Sequence, residues 1–143
     1  MVPFSSFFRM RGLHRHLDWG LLLLRCVVGI IFIYHGSMKW GMWTSVPPTM
    51  SPVMVDIFRL LSVVEPLGGI ALIAGFLTQY AALGLAIIML GAIHAKFSSM
   101  GLAGFGGSKG AGWEFDLLLL AGNVVLLLTG GGKYAIEKMM GRA

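Results

Sequence analysis

Charged and titratable side chains interrupt long apolar runs of this chain, and they are its candidates for chemistry. A charged side chain at the centre of a membrane helix costs roughly 2.5–3.5 kcal/mol on insertion scales, so it needs a partner or a function. Histidine and lysine donate hydrogen bonds, whereas carboxylates accept protons. Together they could bind and protonate the polar head of a small molecule. The candidates are Arg25, His35, Lys39, Asp56, Glu65, His94 and Glu114.

The composition places these residues in a membrane protein. The chain has 143 residues, of which 57% are hydrophobic and 12% charged, with a mean hydropathy of +0.82. A soluble domain is about half apolar and about a quarter charged. We therefore expect one integral membrane domain spanning residues 1–143. The net charge of +5 is explained first by membrane orientation, and we expect no nucleic-acid partner.

Four apolar stretches are each close to the ~20 residues that a helix needs to cross ~30 Å of hydrocarbon. They are continuous rather than alternating, which favours helices over strands. The sequence thus predicts an all-α, four-helix membrane bundle. Its helices cover about 19–40, 53–76, 79–97 and 113–130, and a proline-rich segment, a tight turn and a glycine-rich loop connect them. A basic arm (1–18) precedes the bundle and a short tail (131–143) follows it.

The basic residues predict an orientation. Lysine and arginine are enriched in cytoplasmic segments, and here they are concentrated in the arm 1–18 and the tail 131–143. We therefore expect both termini in the cytoplasm and the loops around residues 40–52 and 98–112 on the other side.

Arg25 and Glu65 lie at membrane depth in consecutive helices. If those helices are neighbours, the two side chains could approach each other, and an ion pair would lower the cost of burying both. A second interpretation is a proton relay, in which Glu65 accepts protons and a nearby cation tunes it.

The other candidates cluster at the opposite end from the termini. His35 and Lys39 end the first helix, Asp56 opens the second, His94 ends the third and Glu114 opens the fourth. Because polar groups at one depth with apolar walls are the usual form of a small-molecule site, we expect a ligand pocket there. Each residue also has a simpler interpretation: Lys39 could extend to the interface and Asp56 could pair locally on its helix.

Motifs for other cofactors are weak. Cys26 is the single cysteine, so this chain alone cannot ligate an iron–sulfur cluster with cysteines. The stretch GFGGSKG lacks the GxxxxGK[ST] spacing of a phosphate loop. No metal site is expected, and a haem held by His35 and His94 remains an alternative that an absorbance spectrum would test.

Four segments resemble the DoxX family of small membrane proteins. They are RCVVGIIFIYHGSMKW (25–40), EPLGGIALIAGFLTQYAAL (65–83), GAIHAKF (91–97) and GWEFDLLLLAG (112–122). The resemblance covers about residues 20–135 and departs in the longer glycine-rich loop and in Gln79, where the family often has arginine. It implies a four-helix fold in a prokaryotic inner membrane. It also implies a link with quinone, thiosulfate or thiol oxidoreductase systems.

Three functions follow as hypotheses. The first is a membrane subunit of an oxidoreductase system that binds a quinone, with other redox subunits as partners in the lipid bilayer. The second is a non-catalytic accessory subunit of a larger respiratory or photosynthetic complex. The third is a small transporter, because buried charges often mark transport pathways. These hypotheses include both catalytic and non-catalytic roles for the chain.

Overall fold

The computed structural model describes residues 13–105 and 112–141, with side chains from His16 onward, and these residues form helices without any strand. The basic arm and the centre of the glycine-rich loop lie mostly outside this range. The helices are α1 (Leu13–Ser37), α2 (Pro52–Ala74), α3 (Thr78–Met100), α4 (Trp113–Thr129) and α5 (Ile136–Met140). The all-helical fold and the four long helices confirm the prediction.

Three segments are long and apolar enough to cross a membrane: His16–Trp43, Pro52–Ala74 and Thr78–Gly104. The first and third extend their helices with 3₁₀ turns, Met38–Trp43 and Gly101–Gly104. Helix α4 has 17 residues, or about 25 Å, slightly less than the hydrocarbon thickness. The chain is therefore an integral membrane protein whose fourth helix packs beside three full spans.

The bundle has two different ends. At the end called here the termini end, α1 begins, α2 turns into α3, and α4 ends. At the opposite loop end, α1 and α3 end, and α2 and α4 begin. At the termini end, the segment after α4 contacts the start of α1: Lys133 N donates to Asp18 Oδ1 at 2.9 Å, and the Trp19 and Tyr134 rings lie 4.7 Å apart. These contacts support α1 from Leu13, six residues before its predicted start, and order a tail that sequence alone left without structure.

Helices α1 and α2 approach closely because glycines face each other. A Cβ on Gly29 would lie 2.6 Å from the carbonyl oxygen of Gly69, and a Cβ on Gly69 would lie 2.5 Å from that of Gly29. About two helical turns further along α1, Gly36 leaves room for the ring of Pro66. Small residues permit such close packing in membrane helices, and here they fix how α1 is aligned along α2.

Arg25 does not pair with Glu65, which corrects that prediction. Arg25 is 1% exposed, and its guanidinium donates to three carbonyls: Nε to Leu72 O at 2.7 Å, Nη1 to Gly131 O at 2.7 Å and Nη2 to Ile73 O at 2.8 Å. The last carbonyls of a helix have no partners within that helix. Arg25 satisfies those at the end of α2 and ties them to the segment after α4.

Glu137 closes the same end from the C-terminal side. Its carboxylate accepts from Thr78 N at 3.1 Å, where the first N–H groups of α3 lack helical partners. Its own N–H donates to Gly75 O at 3.1 Å. The turn itself depends on Gly75, whose φ of 69° favours glycine. The termini end is thus closed by hydrogen bonds from charged side chains to backbone groups.

The close contact at Gly29 predicts that an added methyl group destabilises the protein there but not at an uncrowded glycine. Gly29→Ala should lower the free energy of unfolding by about 1–3 kcal/mol, because the new Cβ collides with the α2 backbone. Gly84→Ala is the matched control, since its Cβ would meet nothing within 4 Å. Unfolding of both variants in the same detergent, followed by circular dichroism, measures the difference. Equal stabilities would contradict the proposed contact.

The three hydrogen bonds of Arg25 predict that replacing this residue by lysine destabilises the protein. Arg25→Lys should lower the free energy of unfolding by about 2 kcal/mol or more, because one ammonium cannot replace three N–H groups directed at two separate segments. Arg59→Lys, at a partly exposed arginine, serves as the control. If Arg25→Lys is as stable as the parent, the carbonyls do not depend on the guanidinium.

Candidate functional site

A cavity of about 550 Å³ lies among α1–α4, in the half of the bundle towards the loop end. Its walls are mainly apolar. On α2 they follow one face of the helix, at Met54, Ile57, Phe58 and Leu61, the spacing expected for a single face. The polar lining residues are His35, Lys39, Glu65, Lys96 and Asp116. An apolar pocket with a few converging polar groups is the usual form of a small-molecule site.

The first ion pair joins Lys39 and Glu65. Lys39 Nζ lies 2.6 Å from Glu65 Oε2, and the Glu65 side chain is 3% exposed. The same ammonium donates to the carbonyl of His35 at 2.9 Å. A carboxylate this deep in an apolar bundle needs a partner, and Lys39 takes the place that was expected for Arg25.

Lys39 reaches Glu65 because a proline leaves a carbonyl free in α2. Pro66 has no N–H, so the carbonyl of Ser62, four residues earlier, lacks its helical donor. Trp40 Nε1 donates to that carbonyl at 2.9 Å, and Trp43 Nε1 donates to Ser62 Oγ at 3.0 Å. Both indoles belong to the 3₁₀ helix that carries Lys39, so these bonds hold the helix, and with it the lysine, against α2.

The second ion pair joins Lys96 of α3 and Asp116 of α4. Lys96 Nζ lies 2.7 Å from Asp116 Oδ2, whose side chain is 9% exposed, and 3.5 Å from Gly112 O. A carboxylate oxygen can accept two hydrogen bonds, so the contact with Lys96 occupies only one acceptor position of Asp116 Oδ2. This buried oxygen therefore keeps capacity to accept a hydrogen bond.

The two pairs occupy different depths of one cavity. Leu85 packs against Gly68, which aligns α3 with the antiparallel α2. Glu65 precedes Gly68 by three residues, and Lys96 follows Leu85 by eleven. The pairs therefore lie about 12 Å apart along the bundle, with Lys39–Glu65 the deeper one. Lys39–Glu65 joins the end of α1 to α2, and Lys96–Asp116 joins the end of α3 to α4.

The structure divides the predicted site residues into two groups. His35 and Lys39 line the cavity, together with Glu65. The His35 ring lies 5.7 Å from that of Phe115. Asp56, His94 and Glu114 lie outside the cavity, which corrects the expectation that shared depth brings all of them into one pocket.

Helix geometry explains why those three residues are excluded. Residues two apart on a helix point about 200° apart, and each excluded residue is two positions from a lining one. His94 is thus turned away from Lys96, Glu114 from Asp116 and Asp56 from Phe58. Asp56 is 76% exposed and lies 3.5 Å from Arg59, three residues along the same helix. Glu114 Oε2 is buried against Gly112 without a hydrogen-bond partner in the described part of the chain.

Lys96 and Asp116 are the lining residues that the sequence prediction missed. A signal for Asp116 was present in α4, where Asp116, Leu119, Asn123 and Leu126 follow one another at spacings of three, four and three and are all buried. This spacing marks one face of a helix, so Asp116 belongs on the buried side. Among residues 13–105 and 112–141, no cluster of histidine, cysteine and acidic side chains could hold a metal ion.

The fold and the cavity define a class: a small helical membrane protein with a charge-paired pocket in one half of its bundle. Residues 20–100 match the family model described as DoxX. The chain therefore belongs to the DoxX family, as the sequence motifs indicated.

Three relatives show similarity over nearly the whole chain. CatD of Bacillus subtilis, named provisionally as an oxidoreductase, is 28% identical over 87% of this chain and 90% of its own length. Rv3486 of Mycobacterium tuberculosis, named as an uncharacterized membrane protein, is 28% identical over 92% and 88%. YqjF of Escherichia coli, named as an inner membrane protein, is 29% identical over 87% and 95%. No solved structure matches the chain significantly.

The indole bonds predict a coupling between Trp40 and Pro66. Trp40→Phe should lower the free energy of unfolding by about 1–2 kcal/mol, because it leaves the buried Ser62 carbonyl without a donor. In a Pro66→Ala background the restored N–H supplies that donor, so the same change should cost clearly less. A double-mutant cycle of unfolding free energies measures the coupling. Additive effects would show that Trp40 does not compensate for the proline.

Proposed function

We propose that this protein is a membrane component of an oxidoreductase system and binds a quinone, or a similar small redox molecule, in the cavity between α1–α4. The observation that carries the proposal is the Lys39–Glu65 pair, with Glu65 buried, in an apolar-walled cavity of about 550 Å³ that His35 also lines. The name of CatD supports the oxidoreductase class.

The lining residues suit a quinone head. Lysine and histidine donate hydrogen bonds to carbonyl oxygens, and a carboxylate accepts them from the hydroxyls of the reduced form. When bound, a quinone supplies two-electron redox chemistry. The described residues would orient its ring and exchange protons with it: Lys39 as donor, Glu65 as acceptor and His35 at the cavity edge.

Electrons would come from a partner. With one cysteine in the chain, a cysteine-ligated iron–sulfur cluster has to belong to another subunit. We therefore propose a redox protein as the partner within the bilayer.

The proposed location is a prokaryotic inner membrane with both termini in the cytoplasm. The name of YqjF supports the membrane. The exposed Lys133 and Lys138 at the termini end support the orientation, since lysine is enriched on the cytoplasmic side. The cavity would then face the outer leaflet.

A titration of the purified protein tests quinone binding. Decyl-ubiquinone and menadione are added to protein in lipid nanodiscs, and tryptophan quenching gives Kd. Lys39→Met and His35→Ala should each raise Kd, the first by about tenfold or more, because a charged donor is lost. His94→Ala is the matched control, a histidine outside the cavity, and should bind like the parent.

Two outcomes would contradict the proposal. Equal Kd values for Lys39→Met, His35→Ala and His94→Ala would place any binding elsewhere. No binding by the parent protein, combined with its stoichiometric recovery in a larger membrane complex, would favour the accessory-subunit hypothesis.

A further inference from the structure

The charged groups that line the cavity cancel each other. They comprise two ammonium groups and two carboxylates, so with His35 counted as neutral the formal charge of the described lining is zero. Each cation lies against its own anion, at 2.6 Å for Lys39 with Glu65 and at 2.7 Å for Lys96 with Asp116. The cavity thus contains charges on both walls but carries no net formal charge.

Charge balance decides which ligands the cavity favours. An anion that enters must leave its hydration shell, and this is costly unless an unpaired cation receives it. Both lysines are already paired, and taking one away would leave a buried carboxylate uncompensated, which is strongly unfavourable. A neutral ligand has neither cost and gains from the apolar walls.

The pairs also supply both kinds of hydrogen bond. The ammonium groups can donate to carbonyl oxygens, and the Asp116 carboxylate, 9% exposed beside Lys96, has further acceptor positions for a hydroxyl. We infer that the cavity selects uncharged rings that carry carbonyl or hydroxyl oxygens, as quinones and their hydroquinones do, and rejects anions of the same shape. This inference rests on the proposed function and specifies its ligand class.

Two matched probes test the selectivity. They are 1,4-naphthoquinone, which is neutral, and its 2-sulfonate, which has the same ring system and a negative charge. Kd values for both are measured in nanodiscs of neutral lipid, and the ratio of sulfonate to neutral Kd is compared between variants. Partitioning into lipid affects every variant alike, so it cancels when the ratios are compared. The parent protein should prefer the neutral probe by about tenfold or more.

Removing one negative charge inside the cavity should shift that ratio towards the anion. Glu65→Gln and Asp116→Asn each leave a lysine unpaired, and each should reduce the sulfonate-to-neutral ratio by about tenfold. The control is Asp56→Asn, which removes the same charge from an exposed position outside the cavity and should leave the ratio unchanged. The double variant Lys39→Gln/Glu65→Gln restores neutrality and should return the ratio to that of the parent.

The outcomes separate this inference from the function on which it rests. If naphthoquinone does not bind the parent protein, the proposed function fails. If it binds but the ratio is the same in Glu65→Gln, Asp116→Asn and the parent, quinone binding stands and the charge selectivity is overturned. An equal shift in Asp56→Asn overturns it as well, because the effect would then come from surface charge. Should Glu65→Gln not fold, Asp116→Asn with the Asp56→Asn control decides alone.

Discussion

The close contact between α1 and α2 determines the arrangement of the loop end. Gly29 and Gly69 bring the two backbones together, and Gly36 receives the ring of Pro66. This alignment places the end of α1 opposite the middle of α2 rather than opposite its first turn. The residues after α1 therefore lie deep in the bundle, where Lys39 meets Glu65. Without this offset the lysine would lie near the membrane surface, and Glu65 would need another partner.

The cavity combines two features that each lower the stability of a helical bundle: buried charge, and volume that side chains do not fill. A well-packed membrane bundle would gain by replacing both lysine–carboxylate pairs with apolar side chains, and by closing the space between them. The chain instead retains Lys39–Glu65 and Lys96–Asp116 around an open volume of about 550 Å³. At the termini end the opposite holds: each guanidinium nitrogen of Arg25 donates to a carbonyl, and an apolar core formed by residues such as Leu72, Leu85 and Leu126 fills the space. The apolar core is concentrated at one end of the bundle, and the charge-lined cavity at the other.

The sequence predicted the helices well because apolar length is a local property, and it predicted His35 and Lys39 as pocket residues from their position at a helix end. It failed where the answer depends on direction or on tertiary contact. Depth alone could not show that His94 and Glu114 point away from the cavity, although a helical projection of α4 would have favoured Asp116. The partner of Arg25 could not be predicted, because two of the three carbonyls belong to α2 and the third to a tail with no recognisable pattern.

Pro66 constrains two positions, 36 and 40, that are far from it in the sequence. Its ring requires a residue without a side chain at position 36, and its missing N–H leaves a carbonyl that the indole at position 40 satisfies. A relative that replaced this proline by alanine would no longer need either the glycine or the tryptophan for these reasons. A relative that keeps the proline cannot easily change the other two. The residues at positions 36, 40 and 66 are therefore expected to covary, because a substitution at one alters which residues are tolerated at the other two.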